Sequence, residues 1–366
     1  MGGDLLASTS PKTSTCHLRD PAQASYTLGG YLEAVLITRD HQGRPKTHGG
    51  DLFRAQLLGP DLKAGVPGDV KDLENGTYLL SLPLLWAGQA QGQVQLIHSS
   101  EAVRVLRGIW RDQWATVDFM GYFQGPTGYE EIVTCNVNPL LIGEEGSACH
   151  YRDEDSEHSS GRYWNVTTPH EEALLARNVT DQALPQGTSP IWVAESSRSL
   201  VPSPQQPCHP GIPGPKPSGF YHQNMWHSLS CSSHSFSTAD SVLGCLAGHI
   251  VHMMGDSTLR QWWEYLCDTV PSTGWDPGRR GRAPGREPRT LVVIKLAKTS
   301  YKFVYGSDWF ILQVNRLLQA AFADLHVAFV DAWEMTTSLA LLDSIHPRRH
   351  VVQNELDFLL SYICPT

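Results

Sequence analysis

Between residues 250 and 268 the chain passes from an apolar run, Ile250 to Met254, through Gly255-Asp256-Ser257 into apolar and polar residues at helical spacing, Thr258 to Asp268. No other stretch restricts the fold as much. The short run reads as a buried strand, the glycine-containing triplet as its turn and the rest as an amphipathic helix. A serine at such a turn sits at the C-terminal edge of a parallel sheet, where its N–H and the helix N-terminus can stabilise an oxyanion. Further strands are expected at Leu291 to Leu296 and His326 to Asp331, and helices at Asp308 to Ala323 and Gln353 to Cys364. Strands alternating with helices argue for a parallel sheet in an α/β domain, placed at residues 218–366.

Serine is a poor nucleophile until a base removes its proton, and a histidine oriented by a carboxylate is the usual base. His346 is the candidate, ahead of Pro347 in a loop before the last helix. Two acids compete to orient it. Asp343 stands three residues upstream, in Asp-x-x-His spacing, and Asp331 ends a predicted strand. The bland alternative for the triplet is a helix cap made by Asp256 or Ser257. The remaining histidines show no metal-ligand spacing, so no metal is expected.

The first part of the chain has a different period. Tyr31 to Thr38, Leu52 to Leu58, Thr77 to Leu85, Gln93 to His98 and Ala115 to Phe123 are β-branched, aromatic or alternating runs. Turn signals such as Arg39-Asp-His-Gln-Gly43, Gly49-Gly-Asp51 and Glu74-Asn-Gly76 separate them. Short strands at that spacing predict an antiparallel sandwich over residues 16–138, preceded by a disordered stretch, 1–15. Residues 139–217 are polar and rich in Pro, Gly and Ser and read as a linker. A length of 366 residues fits two domains.

Net charge and cysteine use limit the setting. At -9, with no long basic face, the chain is not expected to bind nucleic acid, and the Arg-dense stretch Arg279 to Arg289 reads as an exposed loop. Eight cysteines without a CxxC pair point to disulfides and an oxidising compartment. Sequons at Asn75, Asn165 and Asn178 agree with a secretory route. Yet the sequence opens without a signal-peptide pattern, and no run of about 20 apolar residues could span a membrane.

The longer string Met254-Gly-Asp-Ser-Thr-Leu-Arg-Gln-Trp-Trp-Glu-Tyr-Leu266 resembles the neurexophilin and PC-esterase domain (NXPE) family. So do Val330-Asp-Ala-Trp-Glu-Met-Thr336 and the ending from His346-Pro347 through Asn354 to Tyr362-Ile-Cys364. Arg39 to Gly43, Gly49 to Asp51, Leu62 to Gly65 and Asn75 to Tyr78 resemble that family's neurexophilin-like domain. The resemblance implies an α+β, two-domain chain: an immunoglobulin-like sandwich, then an α/β domain similar to SGNH hydrolases. It further implies a glycoprotein of the Golgi lumen or the secreted pool, transferring or hydrolysing acyl groups, acetyl above all, on glycans such as sialic acid. Ser257 would be the nucleophile and His346 the base, with Asp331 the favoured acid or the two acting as a Ser-His dyad. Acetyl-CoA would be the donor if the chain is a transferase, with no other cofactor.

Two departures from the family shape these expectations. Relatives begin with a signal or anchor segment, so the sequence reads as lacking its natural beginning. They also carry a longer stretch, with central strands and oxyanion-hole blocks, where this chain has only Asp268 to Thr290. Losing one oxyanion donor typically costs about 100- to 1,000-fold in rate, so low activity is expected. The alternative is a non-catalytic secreted glycoprotein whose sandwich binds a cell-surface protein.

Overall fold

The computed structural model describes residues 5–112, 117–124, 130–137, 147–149, 169–176, 178–185, 187–195, 204, 206–212, 214–270, 290–298, 307–339 and 346–365. The first strands are β1 (Thr15–Leu18), β2 (Tyr26–Thr27), β3 (Tyr31–Ile37), β4 (Leu52–Gly59), β5 (Ala64–Pro67), β6 (Asp69–Asp72), β7 (Thr77–Pro83) and β8 (Gly88–His98). They divide between a four-stranded sheet, ordered β1-β3-β7-β6, and a larger sheet centred on β5-β4-β8. Period-two alternation decides which face is inside. Leu32, Ala34 and Leu36 of β3 and Tyr78, Leu80 and Leu82 of β7 share one core with Phe53, Ala55 and Leu57 of β4 and Val94 and Leu96 of β8.

Three expectations for this half change. Residues 5–15 are not a disordered tail: Ser8, Thr9, Ser10 and Ser14 are buried, and Ser10 N–H donates to the Arg39 carbonyl. A helix that the sequence reading overlooked, α1 (Ser100–Asp112), follows β8 and buries Ala102, Val103, Leu106 and Ile109 at helical spacing. The predicted strand near Ala115 to Phe123 is β9 (Val117–Gln124), but it pairs with β10 (Glu130–Val137) and β11 (Ser147–Cys149) in a separate antiparallel sheet.

The linker region also joins the fold. After α2 (Pro169–Leu175), both β12 (Gln182–Ala183) and β13 (Ile191–Ala194) pair with β8. The hairpin of β14 (Gly219–His222) and β15 (Met225–Ser228) then continues the larger sheet, with Tyr221 opposite Gly65 of β5. Its two turn residues, Gln223 and Asn224, both have positive φ, as a tight two-residue turn demands. At Gly65 a side chain would run into the Ser338 carbonyl oxygen, so only glycine lets β5 lie this close to the C-terminal half.

The remaining elements are α3 (Ala239–Leu246), α4 (Ser257–Thr269), β16 (Val292–Lys295), α5 (Asp308–Ala321), β17 (Val327–Val330), α6 (Ala332–Thr337) and α7 (Arg349–Ile363). β16 and β17 are parallel, with Val292 opposite Val327 and Lys295 opposite Val330. The chain is thus α+β with several sheets. One predicted strand is absent: Ile250 to Met254 form no ladder, and Ile250 and Met254 are 85% and 76% exposed. A short apolar run fixes no secondary structure unless a neighbouring strand completes its hydrogen bonds.

Disulfides join Cys208 to Cys231 and Cys245 to Cys364. Not every cysteine is paired. Cys267 is an exposed free thiol, and Cys16 is a buried one whose pKa burial pushes up to about 11. Among the described residues no helix is long and apolar enough to cross a membrane. Asn75 and Asn178 lie in exposed turns. Asn165, Asp343 and Arg279 to Arg289 lie outside the described residues.

Candidate active site

Helix α4 starts at Ser257 because Asp256 caps it. The Asp256 carboxylate accepts hydrogen bonds from Thr258 N–H at 2.9 Å and Thr258 Oγ1 at 2.8 Å, an arrangement worth about 0.5–2 kcal/mol. Burial works against its ionisation, but these bonds and the charge of Lys295 hold its pKa below the usual value. The capping reading therefore applies to Asp256, which leaves the serine hydroxyl free for another partner. A β-carbon at Gly255 would make the Leu259 side chain shift.

That partner is His346. Its Nε2 lies 2.9 Å from Ser257 Oγ, across 89 residues of sequence. This distance lies within the reach required of a nucleophile and its base. The base role needs the tautomer with its proton on Nδ1, so that Nε2 accepts from the hydroxyl. The pair is exposed.

Helices α4 and α7 meet through both packing and charge. Trp262 and Leu266 of α4, with Val270 just past its end, bury with Val352, Leu356 and Leu359 of α7 in the C-terminal core. Within that core Glu355 Oε2 accepts from Trp262 Nε1 at 2.6 Å and lies 3.2 Å from Lys295 Nζ, which sits 4.9 Å above the Trp262 ring. A hydrogen bond to a buried charged group contributes roughly 1.5–3 kcal/mol. Lys298 is buried nearby. Burial first, then the charge of Lys295, lower its pKa to about 8 against the opposing pull of Glu355. At the rim Arg349 pairs with Asp268 at 2.7 Å and covers the Tyr265 ring at 4.6 Å. Both charges of that pair are exposed, so it contributes at most about 1 kcal/mol.

The acids fare differently. Asp331 caps α6, accepting from Glu334 N–H at 2.9 Å. Burial, then the Glu334 carboxylate, raise its pKa well above the carboxylate range. Glu334 in turn accepts from Ser218 N–H and Oγ, both at 2.5 Å. The described bonds of Asp331 thus run to its own helix, and the segment carrying Asp343 lies outside the described residues. Among the described residues no group of three or more His, Cys, Asp or Glu is arranged to hold a metal.

The sequence reading did not single out Glu355, Lys295 or Trp262. Glu355 did carry a signal, as an acidic residue spaced with Val351, Val352, Leu356 and Leu359 on an apolar stripe.

Residues 226–276 and 281–364 match the family described as NXPE family member 4-like, C-terminal domain. Over 58 residues the chain is 43% identical to the E3 ubiquitin-protein ligase TRIM71 of Gallus gallus, which is 16% of this chain and 6% of that protein. Among solved structures it is similar to the Lin-41 filamin domain, at 17% identity over 25% of this chain and 83% of that one. With a TM-score of 0.21, that similarity carries no argument.

Proposed function

We propose, on the match of residues 226–276 and 281–364 to an NXPE-family C-terminal domain, that the C-terminal domain of this chain carries out serine-dependent acyl chemistry on glycans. The observation that supports this most is the 2.9 Å contact between Ser257 Oγ and His346 Nε2 at the start of α4. In the reaction Ser257 Oγ attacks the carbonyl of an acyl donor while His346 takes its proton. The leaving group departs with that proton, and a Ser257 ester remains. A sugar hydroxyl then takes the acyl group in a transferase, with acetyl-CoA as donor, or water takes it in a hydrolase, and His346 returns to its starting state. N–H groups of the first turn of α4 face the oxyanion in this reading. Asp331 or Asp343 would orient the imidazole. Two disulfides and the exposed sequons at Asn75 and Asn178 support a glycoprotein of the secretory route. We further assign the first two sheets to the family's immunoglobulin-like sandwich and the α/β half to an SGNH-like domain.

Purified protein would be assayed for hydrolysis of an aryl acetate and for acetyl transfer from acetyl-CoA to a sialylated glycan. Turnover that Ser257→Ala abolishes supports the reading. Turnover equal in the two proteins overturns it. One observation favours a second reading, a non-catalytic glycoprotein that binds a cell-surface partner. Ile250, Val251 and Met254 are exposed beside Ser257 rather than built into a sheet, and a solvated site gains less from oriented dipoles than a dry one. A folded protein inert in both assays would decide for it.

A further inference from the structure

Glu355 lies on α7 among Val351, Val352, Leu356 and Leu359, and it is 0% exposed. Apolar residues in place of such a buried ion pair are often as stable or more so, so stability alone does not call for a carboxylate here. Its contacts suggest another task. Oxygen Oε2 takes the Trp262 N–H at 2.6 Å and faces Lys295 Nζ at 3.2 Å, whereas Oε1 has no hydrogen-bond partner among the described residues. Trp262 follows Ser257 by five residues on α4, and Glu355 follows His346 by nine at the other side of the interface. One oxygen therefore ties the helix that presents the hydroxyl to the helix that follows the imidazole, with the end of β16 as the third attachment.

The apolar contacts between α4 and α7 cannot do this, because burial is non-directional and lets a helix roll. A hydrogen bond is directional and weakens steeply off axis. A roll of about 20° moves an atom about 5–6 Å from a helix axis by about 2 Å, enough to break a 2.9 Å contact. We infer that Glu355 is a positioning residue: through Trp262 Nε1 it sets the rotation of α4 against α7 and so holds Ser257 Oγ within reach of His346 Nε2. The inference deepens the proposed acyl chemistry and rests on it.

The test replaces the nucleophile with a thiol, whose reactivity reports its base without any substrate. In a Ser257→Cys protein, iodoacetamide modification at position 257 is followed by peptide mass, which separates it from Cys16 and Cys267. A thiol paired with histidine is more thiolate and reacts faster, and His346→Ala in the same background gives the unassisted rate. Adding Trp262→Phe, which keeps an aromatic ring but removes the N–H, is expected to lower the rate about tenfold, toward the unassisted value. Glu355→Gln keeps an oxygen for the indole N–H and is expected to stay within about threefold of the parent. Thermal unfolding shows that each protein is folded, and if Glu355→Gln does not fold, Trp262→Phe decides alone. A folded Trp262→Phe protein that reacts as fast as its parent would overturn the inference. Failure of the acyl chemistry itself is distinct: it appears as an unreactive Ser257 in the native protein while the thiol of the Ser257→Cys protein still responds to Trp262→Phe.

Discussion

In the N-terminal half β4 has ladder partners on both sides and buries Phe53, Ala55 and Leu57. In the C-terminal half β16 pairs with β17 among the described residues and leaves Val292 45% exposed. The first region is held by long ladders on its inner strands and a core shared between two sheets. The second sets α4, α6 and α7 beside two short strands around a smaller core of its own, which attachments tie down, while α5 packs its Trp309 and Phe310 against α1. The attachments are the Cys245–Cys364 disulfide, the Glu355 carboxylate, and the β14–β15 hairpin that fastens this half to the larger sheet. Asn354 of α7 serves the last of these, accepting from Trp226 N–H at 2.7 Å and donating to the Asn224 carbonyl at 2.9 Å. Order that comes from a core fails with lost volume, and order that comes from attachments fails when one is cut.

Three changes to the protein separate the two regions, the largest effect first. Leu57→Ala empties a fully buried position between the sheets and is expected to cost about 2–5 kcal/mol, read as a lower urea midpoint for loss of the sandwich. A cost below about 1 kcal/mol would mean that this core is not what holds the region. Cys245→Ser with Cys364→Ser opens a loop spanning 119 residues and is expected to cost about 2–4 kcal/mol. Calorimetry should show the C-terminal half melting earlier and the sandwich transition unmoved. A single transition shifted as a whole would show that the halves are not separately stabilised.

The third is a pH effect at Asp331. Burial and the Glu334 carboxylate raise its folded-state pKa to about 7, so the folded protein holds its proton where the unfolded chain has released it. Its contribution is complete below the ordinary carboxylate range of about 4 and is lost as pH rises through about 7. Asp331→Asn, which keeps an oxygen to cap α6, should flatten the fall in melting temperature between about pH 4 and about pH 7 by an amount equivalent to about 1 kcal/mol or more. An unchanged slope would show that this carboxyl group is not the one titrating.

Much of this was readable in the sequence, for reasons that differ by region. Alternation in Tyr31 to Thr38 and Thr77 to Leu85 reports a half-buried sheet directly, and β3 and β7 lie where it puts them. Helical spacing after the Gly-Asp-Ser turn likewise marked α4, and Ser257 and His346, singled out for their residue types, lie 2.9 Å apart. What failed depended on partners far along the chain. Ile250 to Met254 has a strand's composition but no described ladder. The stretch from Pro169 to Ala194 looked like a connector because strands of two to four residues carry too little pattern to show their pairing with β8. The role of Glu355 was hidden for the same reason, since its meaning lies in Trp262 and Lys295 on other elements.

The most direct test of the central claim is the reaction of the intact protein with a fluorophosphonate, with the modified peptide identified by mass. Ser257 should be the labelled residue, and His346→Ala should slow the labelling about 100-fold or more in a protein that still unfolds cooperatively. A folded protein in which Ser257 stays unlabelled, or is labelled equally fast without His346, would contradict the account.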